Sequence, residues 1–270
     1  MARIPIAHSR RHTILDALLP LLALVLLASG CAHRPAPTQR HLPWDDARQL
    51  VLVTSDGWDS PLGRLRRYER DAGGAWRQVG DAAEVTLGRN GSGWGIGLHP
   101  DQAGGPRKQE GDGRAPAGVF AIGPAFGYEA GARTGLPYRQ MDADDWCIDV
   151  PGSPLYNHIV NAKETGREAV EGPTEPMRRD LHADGDIRYR LGFVIGHNPQ
   201  AVAGKGSCIF AHLWRAPGEA TAGCTAMAEP AMLELLAWLD PARRPVFVLL
   251  PEAVHRRLAA SWNLPTPDAD

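Results

Sequence analysis

The feature of this sequence that most constrains its fold is a series of short segments with strand patterning, separated by turns rich in glycine and proline. Residues 50–54 form an apolar run, residues 63–70 alternate polar with apolar side chains, and a turn at 71–74 precedes the segment 75–79. The chain has 30 Gly and 23 Pro, a composition that favours β architecture over helical bundles. Short strands at this spacing predict a mainly β fold, a sandwich or barrel.

Further strands and two helices are expected beyond this first group. The additional strands are predicted at residues 85–87, 94–98, 118–122, 191–196, 208–213 and 245–250. One helix is predicted after Pro230, which suits a first helical turn and is followed by apolar residues at helical spacing. A second helix is predicted within residues 252–262. The mainly β fold is therefore expected to carry a few short helices.

The N-terminal residues 1–31 have the features of a targeting segment. Three arginines lie among the first 11 residues, and the apolar run at 17–28 is too short to cross a bilayer. Small residues precede Cys31, in an arrangement similar to a bacterial lipobox, which implies lipid attachment at Cys31. The chain is then expected to face the periplasm on a lipid anchor, at the outer membrane if the cell is Gram-negative. An ordinary signal peptide with a chance cysteine is the alternative.

The remainder of the chain divides into three expected segments. Residues 32–45 contain several prolines without apolar periodicity and predict a tether. A folded domain is expected at 46–252, followed by a C-terminal helix and tail at 253–270. The formal net charge of −2 gives no sign of a nucleic-acid-binding surface, so no nucleic acid partner is expected.

A cysteine and a histidine near residue 220 form the strongest candidate for chemistry. The strand predicted at 208–213 carries His212 at its end, a loop follows, and Cys224 stands directly after Gly223. The thiolate is the reactive form of cysteine, and a neighbouring imidazole can generate it near neutral pH. We therefore predict that Cys224 is a nucleophile and His212 its base. Backbone N–H groups at Gly223, Cys224 and Thr225 are candidates for an oxyanion hole.

Other interpretations of these residues stay open from the sequence. A free cysteine is often only a buried packing residue. A zinc site would use Cys208, His212, Cys224 and His197 as ligands. If Cys208 and His212 lie on one strand, about 13 Å separates them at ~3.3 Å per residue, which argues against a shared metal. His197 is expected at the opposite end of a hairpin from His212, which disfavours it as the base.

Two motifs at this place resemble the active-site signature of L,D-transpeptidase (YkuD-type) catalytic domains. They are Ile-Phe-Ala-His at 209–212 and Thr-Ala-Gly-Cys-Thr-Ala-Met at 221–227. Stretches at 88–95, 108–120 and 149–157 are similar to the same family, in the same order. The resemblance covers about residues 45–251. It implies a YkuD-like β-sandwich or barrel, with one of the short helices following the cysteine.

The resemblance also implies roles for individual residues. Cys224 attacks a peptide carbonyl of a peptidoglycan stem peptide, and His212 carries the proton while a backbone carbonyl orients its ring. No metal or cofactor is implied. The chain departs from the family pattern at Ala222, where a second histidine is usual, and at Ala226, where arginine or asparagine is usual.

Several residues near the expected cleft are weaker candidates. Thr221, Lys108, Arg114 and Tyr156 are candidate substrate contacts, although a hydrogen bond within its own turn is the alternative for Tyr156. The acidic, glycine-rich residues 109–118 predict a turn, with paired catalytic carboxylates or calcium ligands at Glu110 and Asp112 as the alternative.

Two cysteines and one long segment complete the candidate features. Cys147 and Cys208 are either disulfide-bonded, as an oxidising compartment permits, or two buried free thiols. Residues 162–190 are charged and rich in turns, and they predict an insertion or lid.

The expected function is peptidoglycan transpeptidation that forms crosslinks or attaches proteins to the wall, with roles in wall biogenesis and cell shape. A cysteine peptidase or amidase, and a wall-binding lipoprotein without turnover, are the alternatives.

Overall fold

The computed structural model describes Met1 and residues 41–172 and 174–266. The chain divides into two units, Met1–His41 and Leu42–Asp270. The elements of the second unit are as follows. Residues 2–31 of the predicted leader, with its lipidation site Cys31, and most of the tether lie outside the described residues. Within the described part of the chain, no helix has the length and apolar character needed to cross a membrane.

The fold is mainly β, as predicted. The strands are β1 (Gln49–Ser55), β2 (Leu62–Glu69), β3 (Arg77–Thr86), β4 (Ser92–Trp94), β5 (Ala115–Gly127), β6 (Tyr138–Gln140), β7 (Asp145–Cys147), β8 (Ile159–Asn161), β9 (Glu175–Pro176), β10 (Leu191–Ile195), β11 (Phe210–Leu213), β12 (Thr225–Met227) and β13 (Val246–Pro251). The α-helices are α1 (Ala162–Thr165), α2 (Arg179–His182), α3 (Glu229–Trp238) and α4 (Glu252–Leu258). Short 3₁₀ turns occur at Arg167–Val170, Arg188–Arg190 and Pro241–Arg243.

A ten-stranded sheet forms the body of the molecule and closes on itself. Its order is β10-β11-β12-β3-β2-β1-β13-β5-β4, with β6 also paired to β5. The long strand β5 pairs antiparallel with both β13 and β10, and this second pairing closes the sheet into a barrel. Closure satisfies backbone groups that an open sheet would leave at its edges.

Strand β1 shows why the apolar run at 50–54 lacks alternation. All of its residues are buried, and β1 lies between β13, with which it pairs in parallel, and β2. Val51 and Val53 contribute to the core cluster that includes residues of α3, whereas Leu50 and Leu52 contribute to the cluster that includes residues of α4. A strand covered on both faces needs apolar side chains at every position.

Several predicted boundaries were wrong. The strand expected at 94–98 ends at Trp94, because the backbone then bends along β5, where Gly95 N–H and Leu98 N–H donate to the carbonyls of Ala117 and Val119. The segments predicted at 75–79 and 85–87 both overlap one strand, β3, which runs without a break from Arg77 to Thr86.

The ends of the predicted domain also need correction. The expected tether at 32–45 includes residues that belong to the folded unit, since Trp44 is 1% exposed and its indole N–H donates to the carbonyl of Trp262 at 2.7 Å. The C-terminal segment contains a shorter helix than expected, α4, after which Trp262 and Leu264 pack into the core.

A smaller sheet lies beside the barrel and is joined to it covalently. It has the order β8-β7-β9, and we call it the small sheet. Cys147 in β7 forms a disulfide with Cys208, two residues before β11. Cys208 has φ of 55° and lies outside the strand expected at 208–213, because its backbone N–H donates to Asn157 Oδ1 and its sulfur is directed to Cys147.

We expect the double substitution Cys147→Ala with Cys208→Ala to lower the free energy of unfolding by about 4 kcal/mol, because the disulfide closes a long loop in the unfolded chain. The bonded cysteines are 61 positions apart. Urea denaturation followed by tryptophan fluorescence measures the change. Wild-type protein treated with a reductant is the control and should show the same loss, whereas an unchanged midpoint in both samples contradicts the expectation.

Candidate active site

The parallel pairing of β11 with β12 brings the two candidate catalytic residues to one face of the sheet. Ala211 is paired with Thr225, and His212 with Ala226. Cys224 comes directly before β12, and its Sγ accepts a hydrogen bond from the backbone N–H of Phe210 at 3.4 Å. Phe210 and His212 share a strand face, so Cys224 and His212 are diagonal neighbours on adjacent strands. The sequence predicts that they act together, and the register places them on the same face of neighbouring strands.

His212 is a buried, neutral imidazole with one nitrogen already in use. Its side chain is almost fully buried, and Nδ1–H donates to the carbonyl oxygen of Leu213 at 2.7 Å. This bond assigns the tautomer in which Nε2 has a free lone pair. Burial lowers the pKa of His212 to about 4, although the bond to Leu213 opposes the shift. The ring is therefore unprotonated at neutral pH and able to accept a proton.

Cys224 is a protonated thiol in this structure. Burial raises its pKa to about 12, the negative charge of Glu175 adds to the increase, and Lys108 opposes it. The Sγ also lies 3.5 Å from the carbonyl oxygen of Cys208, as a donor. A site that excludes water disfavours the charged form of the thiol. In this arrangement the uncharged forms of Cys224 and His212 are favoured together.

The turn before Cys224 is fixed by Thr221. The Gly223 N–H donates to Thr221 Oγ1 at 3.0 Å, and the same hydroxyl donates to the carbonyl of Cys224 at 2.8 Å. A Cβ at Gly223 would lie 3.0 Å from the carbonyl oxygen of Arg114, which explains why a small residue is needed. One expected oxyanion donor, the Gly223 N–H, is thus already bonded to Thr221. A second expected donor, Thr225, is the first residue of strand β12. Thr221 acts here on the backbone of the turn.

Two of the candidate substrate contacts, Lys108 and Arg114, lie near this turn but are held by different partners. Lys108 is 5% exposed and lies near the turn, since its Nζ would be 3.7 Å from a Cβ at Gly223. The Nζ is held by Asp112 Oδ1 and the carbonyl of Gln109, each at 2.6 Å. Arg114 presents only its backbone to the turn. Its guanidinium donates to other groups, Asp59 Oδ1 and the carbonyls of Trp58 and Ser92.

Tyr156 is fully buried and donates its hydroxyl proton to Glu110 Oε2. Burial raises the pKa of Tyr156 to about 12, and the bond to Glu110 contributes. Ser207 donates to the same carboxylate oxygen at 2.6 Å. Glu110 therefore links the loop that carries Tyr156 to the segment before β11. Its neighbour Asp112 accepts from the backbone N–H of Arg114 at 2.9 Å, as the predicted turn requires.

The sequence did not predict which residues of the insertion pack on Cys224 and His212; they are Met177 and Tyr189, which we call the cover. Cys224 packs in an apolar cluster with Met177, Tyr189 and Phe210, and both Met177 and Tyr189 belong to the insertion expected at 162–190. The position of Tyr189 along the chain is the signal that could have indicated this contact. Tyr189 lies two residues before β10, and Gly192 of β10 pairs with His212. Cys224 is 7% exposed in this arrangement, so these residues leave little of it open to solvent.

The four residues of the zinc interpretation do not form one ligand set. Cys208 is bonded to Cys147, and His197 accepts from the Ile96 N–H at Nδ1 while its Nε2–H donates to the Lys205 carbonyl. In the described ranges, no group of three or more His, Cys, Asp or Glu is arranged to hold a metal ion.

We expect the free energy of unfolding to fall as the pH drops from about 6.5 to 4. The pKa of His212 and that of His197 are both lowered to about 4 by burial, below the usual value of 6.5. Such groups stabilise the fold above the unfolded pKa, and this contribution is lost as the pH falls toward the folded pKa. The loss is at most about 3 kcal/mol for each histidine. Urea titrations at pH 7 and 4.5 measure it.

The control for this pH dependence is His212→Gln, which should remove the contribution of His212 and flatten the profile. Identical profiles for the variant and the wild type would contradict the buried, neutral state of His212.

No protein-family model matches the chain, and no curated protein matches it.

Proposed function

We propose that this protein is a peptidoglycan L,D-transpeptidase, a cysteine acyltransferase that acts on stem peptides. The observation that carries the proposal is the placement of one thiol and one neutral imidazole on the same face of adjacent strands. The resemblance implies that a backbone carbonyl orients the histidine, and the hydrogen bond from His212 Nδ1–H to the Leu213 carbonyl agrees with this. The motifs at 209–212 and 221–227, in that order, support the same assignment.

In the proposed first half-reaction, the Cys224 sulfur attacks a carbonyl carbon of the donor stem peptide. His212 Nε2 takes the S–H proton as the C–S bond forms, which avoids a free thiolate in a buried site. The C–N bond then breaks, and the leaving amine receives the proton from the imidazolium. A thioester on Cys224 and a neutral His212 remain.

In the proposed second half-reaction, the amine of an acceptor chain attacks the thioester. His212 takes a proton from the attacking nitrogen and returns it to Cys224 Sγ as the C–S bond breaks. The product is a crosslink between stem peptides or a protein attached to the wall. Water in place of the amine would make the protein a peptidase or amidase, so the identity of the acceptor distinguishes these two activities.

The cellular setting of the proposal depends on the N-terminal segment. A lipid attached at Cys31 would hold the enzyme on the membrane, periplasm-facing and beside its polymeric substrate, and several acyl chains together give a stable anchor. The disulfide between Cys147 and Cys208 suits an oxidising compartment such as the periplasm.

One observation favours a second candidate, a wall-binding lipoprotein without turnover. The thiol is covered, and its pKa is raised to about 12. In that alternative Cys224 is a packing residue, and peptidoglycan binds without formation of a thioester.

The test incubates the purified mature protein with sacculi or tetrapeptide muropeptides and analyses the products by mass spectrometry. Wild type should yield crosslinked dimers and a thioester mass on the peptide that contains Cys224. Cys224→Ser should abolish turnover, and His212→Ala should lower the rate by about 10²-fold or more, because general-base catalysis contributes this much. The matched control is His41→Ala, which alters an exposed histidine and should leave the rate unchanged.

The same experiment separates the alternatives. Shortened but uncrosslinked muropeptides would assign hydrolysis. Retained binding without a thioester, and with no effect of Cys224→Ser, would assign the wall-binding role and overturn the proposed enzyme.

A further inference from the structure

A buried tyrosine lies directly against the proposed base. Tyr189, in the 3₁₀ turn Arg188–Arg190, is 2% exposed. Its ring meets the His212 imidazole at a centroid distance of 5.2 Å and an interplanar angle of 74°, an edge-on contact. Further edge-on contacts join it to Phe210 at 5.4 Å and Phe126 at 5.9 Å. The tyrosine ring is thus fixed by three rings on the barrel side.

The hydroxyl end of Tyr189 is fixed from the other side. It donates to Glu175 Oε1 at 2.6 Å, and Arg179 Nη1 lies 3.4 Å from the same oxygen. Glu175 belongs to β9, and its partner in the small sheet is Cys147 of β7. The disulfide of Cys147 leads back to the segment before β11. A continuous path therefore runs from the β11 segment through the small sheet to the ring that contacts His212.

His212 needs such support because its remaining polar contact is local. The bond from Nδ1–H to Leu213 fixes the tautomer, but the acceptor is the carbonyl of the next residue in the chain. Proton transfer from a thiol of raised pKa depends on Nε2 being correctly directed, and small errors in placement are costly. An edge-on aromatic contact restricts the plane of the imidazole.

We propose that Tyr189, held by Glu175, is a positioning residue that orients the imidazole of His212 for proton transfer from Cys224. This inference rests on the roles proposed above for Cys224 and His212, although it does not depend on the acyl acceptor. It also gives the insertion a part in the proposed chemistry, because Tyr189 and Glu175 both belong to residues 162–190.

Charged groups from several elements face these residues and enter any pH profile. Glu175, Lys108 and Arg188 act on Cys224. Arg188, Asp186 and Arg179 act on His212. Both Tyr189→Leu and Tyr189→Phe remove the hydroxyl that bonds Glu175. A difference between these two variants in the dependence on His212 therefore reports the aromatic contact.

The test is a double-mutant cycle on the alkylation of Cys224 by iodoacetamide, followed between pH 7 and 10 on the mature chain. Peptide mass spectrometry counts only the adduct at Cys224. The measured quantity is the ratio of the rates with and without His212→Ala. In the wild-type background this ratio should be about tenfold or more. With Tyr189→Leu it should approach one, because a misdirected base no longer assists the thiol.

The ratio removes the effect of access to the sulfur. Tyr189→Leu can open the cover and speed alkylation, but it does so with and without His212, so the change cancels. Tyr189→Phe keeps the ring edge, loses only the bond to Glu175 and should retain most of the ratio. Tyr138→Phe is the matched control, since the Tyr138 hydroxyl donates to the Glu129 carbonyl away from the site and its loss should change nothing.

A spectroscopic measurement completes the test. In ¹⁵N spectra, the His212 ring should show one fixed Nδ1–H tautomer in the wild type and in Tyr189→Phe, and a broadened signal in Tyr189→Leu. A ratio that is unchanged in Tyr189→Leu, with an unaltered His212 signal, would overturn the inference. That result would leave the proposed function intact if Cys224→Ser still abolishes transpeptidation. Conversely, suppose that the ratio falls to about one in Tyr189→Leu while the wild-type protein shows no transpeptidation. That result would support the positioning role of Tyr189 and contradict the proposed enzymatic function.

Discussion

The parallel pairing of β11 with β12 is the interaction on which the candidate site depends. Two strands in parallel register need a crossover, and here residues 214–224 provide it as a loop that ends in the turn fixed by Thr221. This register puts a sulfur and an imidazole on the same face and the apolar residues Ala211 and Met227 on the other. A shift of one position would turn one of the two partners toward the opposite core.

The chemical state of the site follows from burial more than from charge pairing. A low-dielectric environment raises the pKa of a thiol and lowers that of an imidazole, and both effects favour the uncharged forms. A neutral pair is compatible with general-base attack, in which the proton moves together with bond formation.

The fold class could be predicted from the sequence because it depends on local patterns. Alternation, apolar runs and turn residues are sufficient to predict a β fold. The succession of His212, a loop, Gly223 and Cys224 predicts a nucleophile and its base, and these roles stay predictions. The closure of the sheet by the second pairing of β5 and the exact strand ends could not be predicted in this way. They depend on partners far along the chain, such as β10 for β5 and Asn157 for Cys208.

The sequence by itself determined which side chains were available for chemistry and that the chain would form short strands. Only the tertiary structure decided where the candidates lie. Cys208 is in a disulfide with Cys147, Arg114 bonds groups away from the turn, and Tyr189 lies against His212 with its hydroxyl on Glu175. It also decided that the thiol is protonated at rest. Residue types and spacing carry no information on solvent exclusion, whereas burial and the neighbours of a group set its pKa and its reactivity.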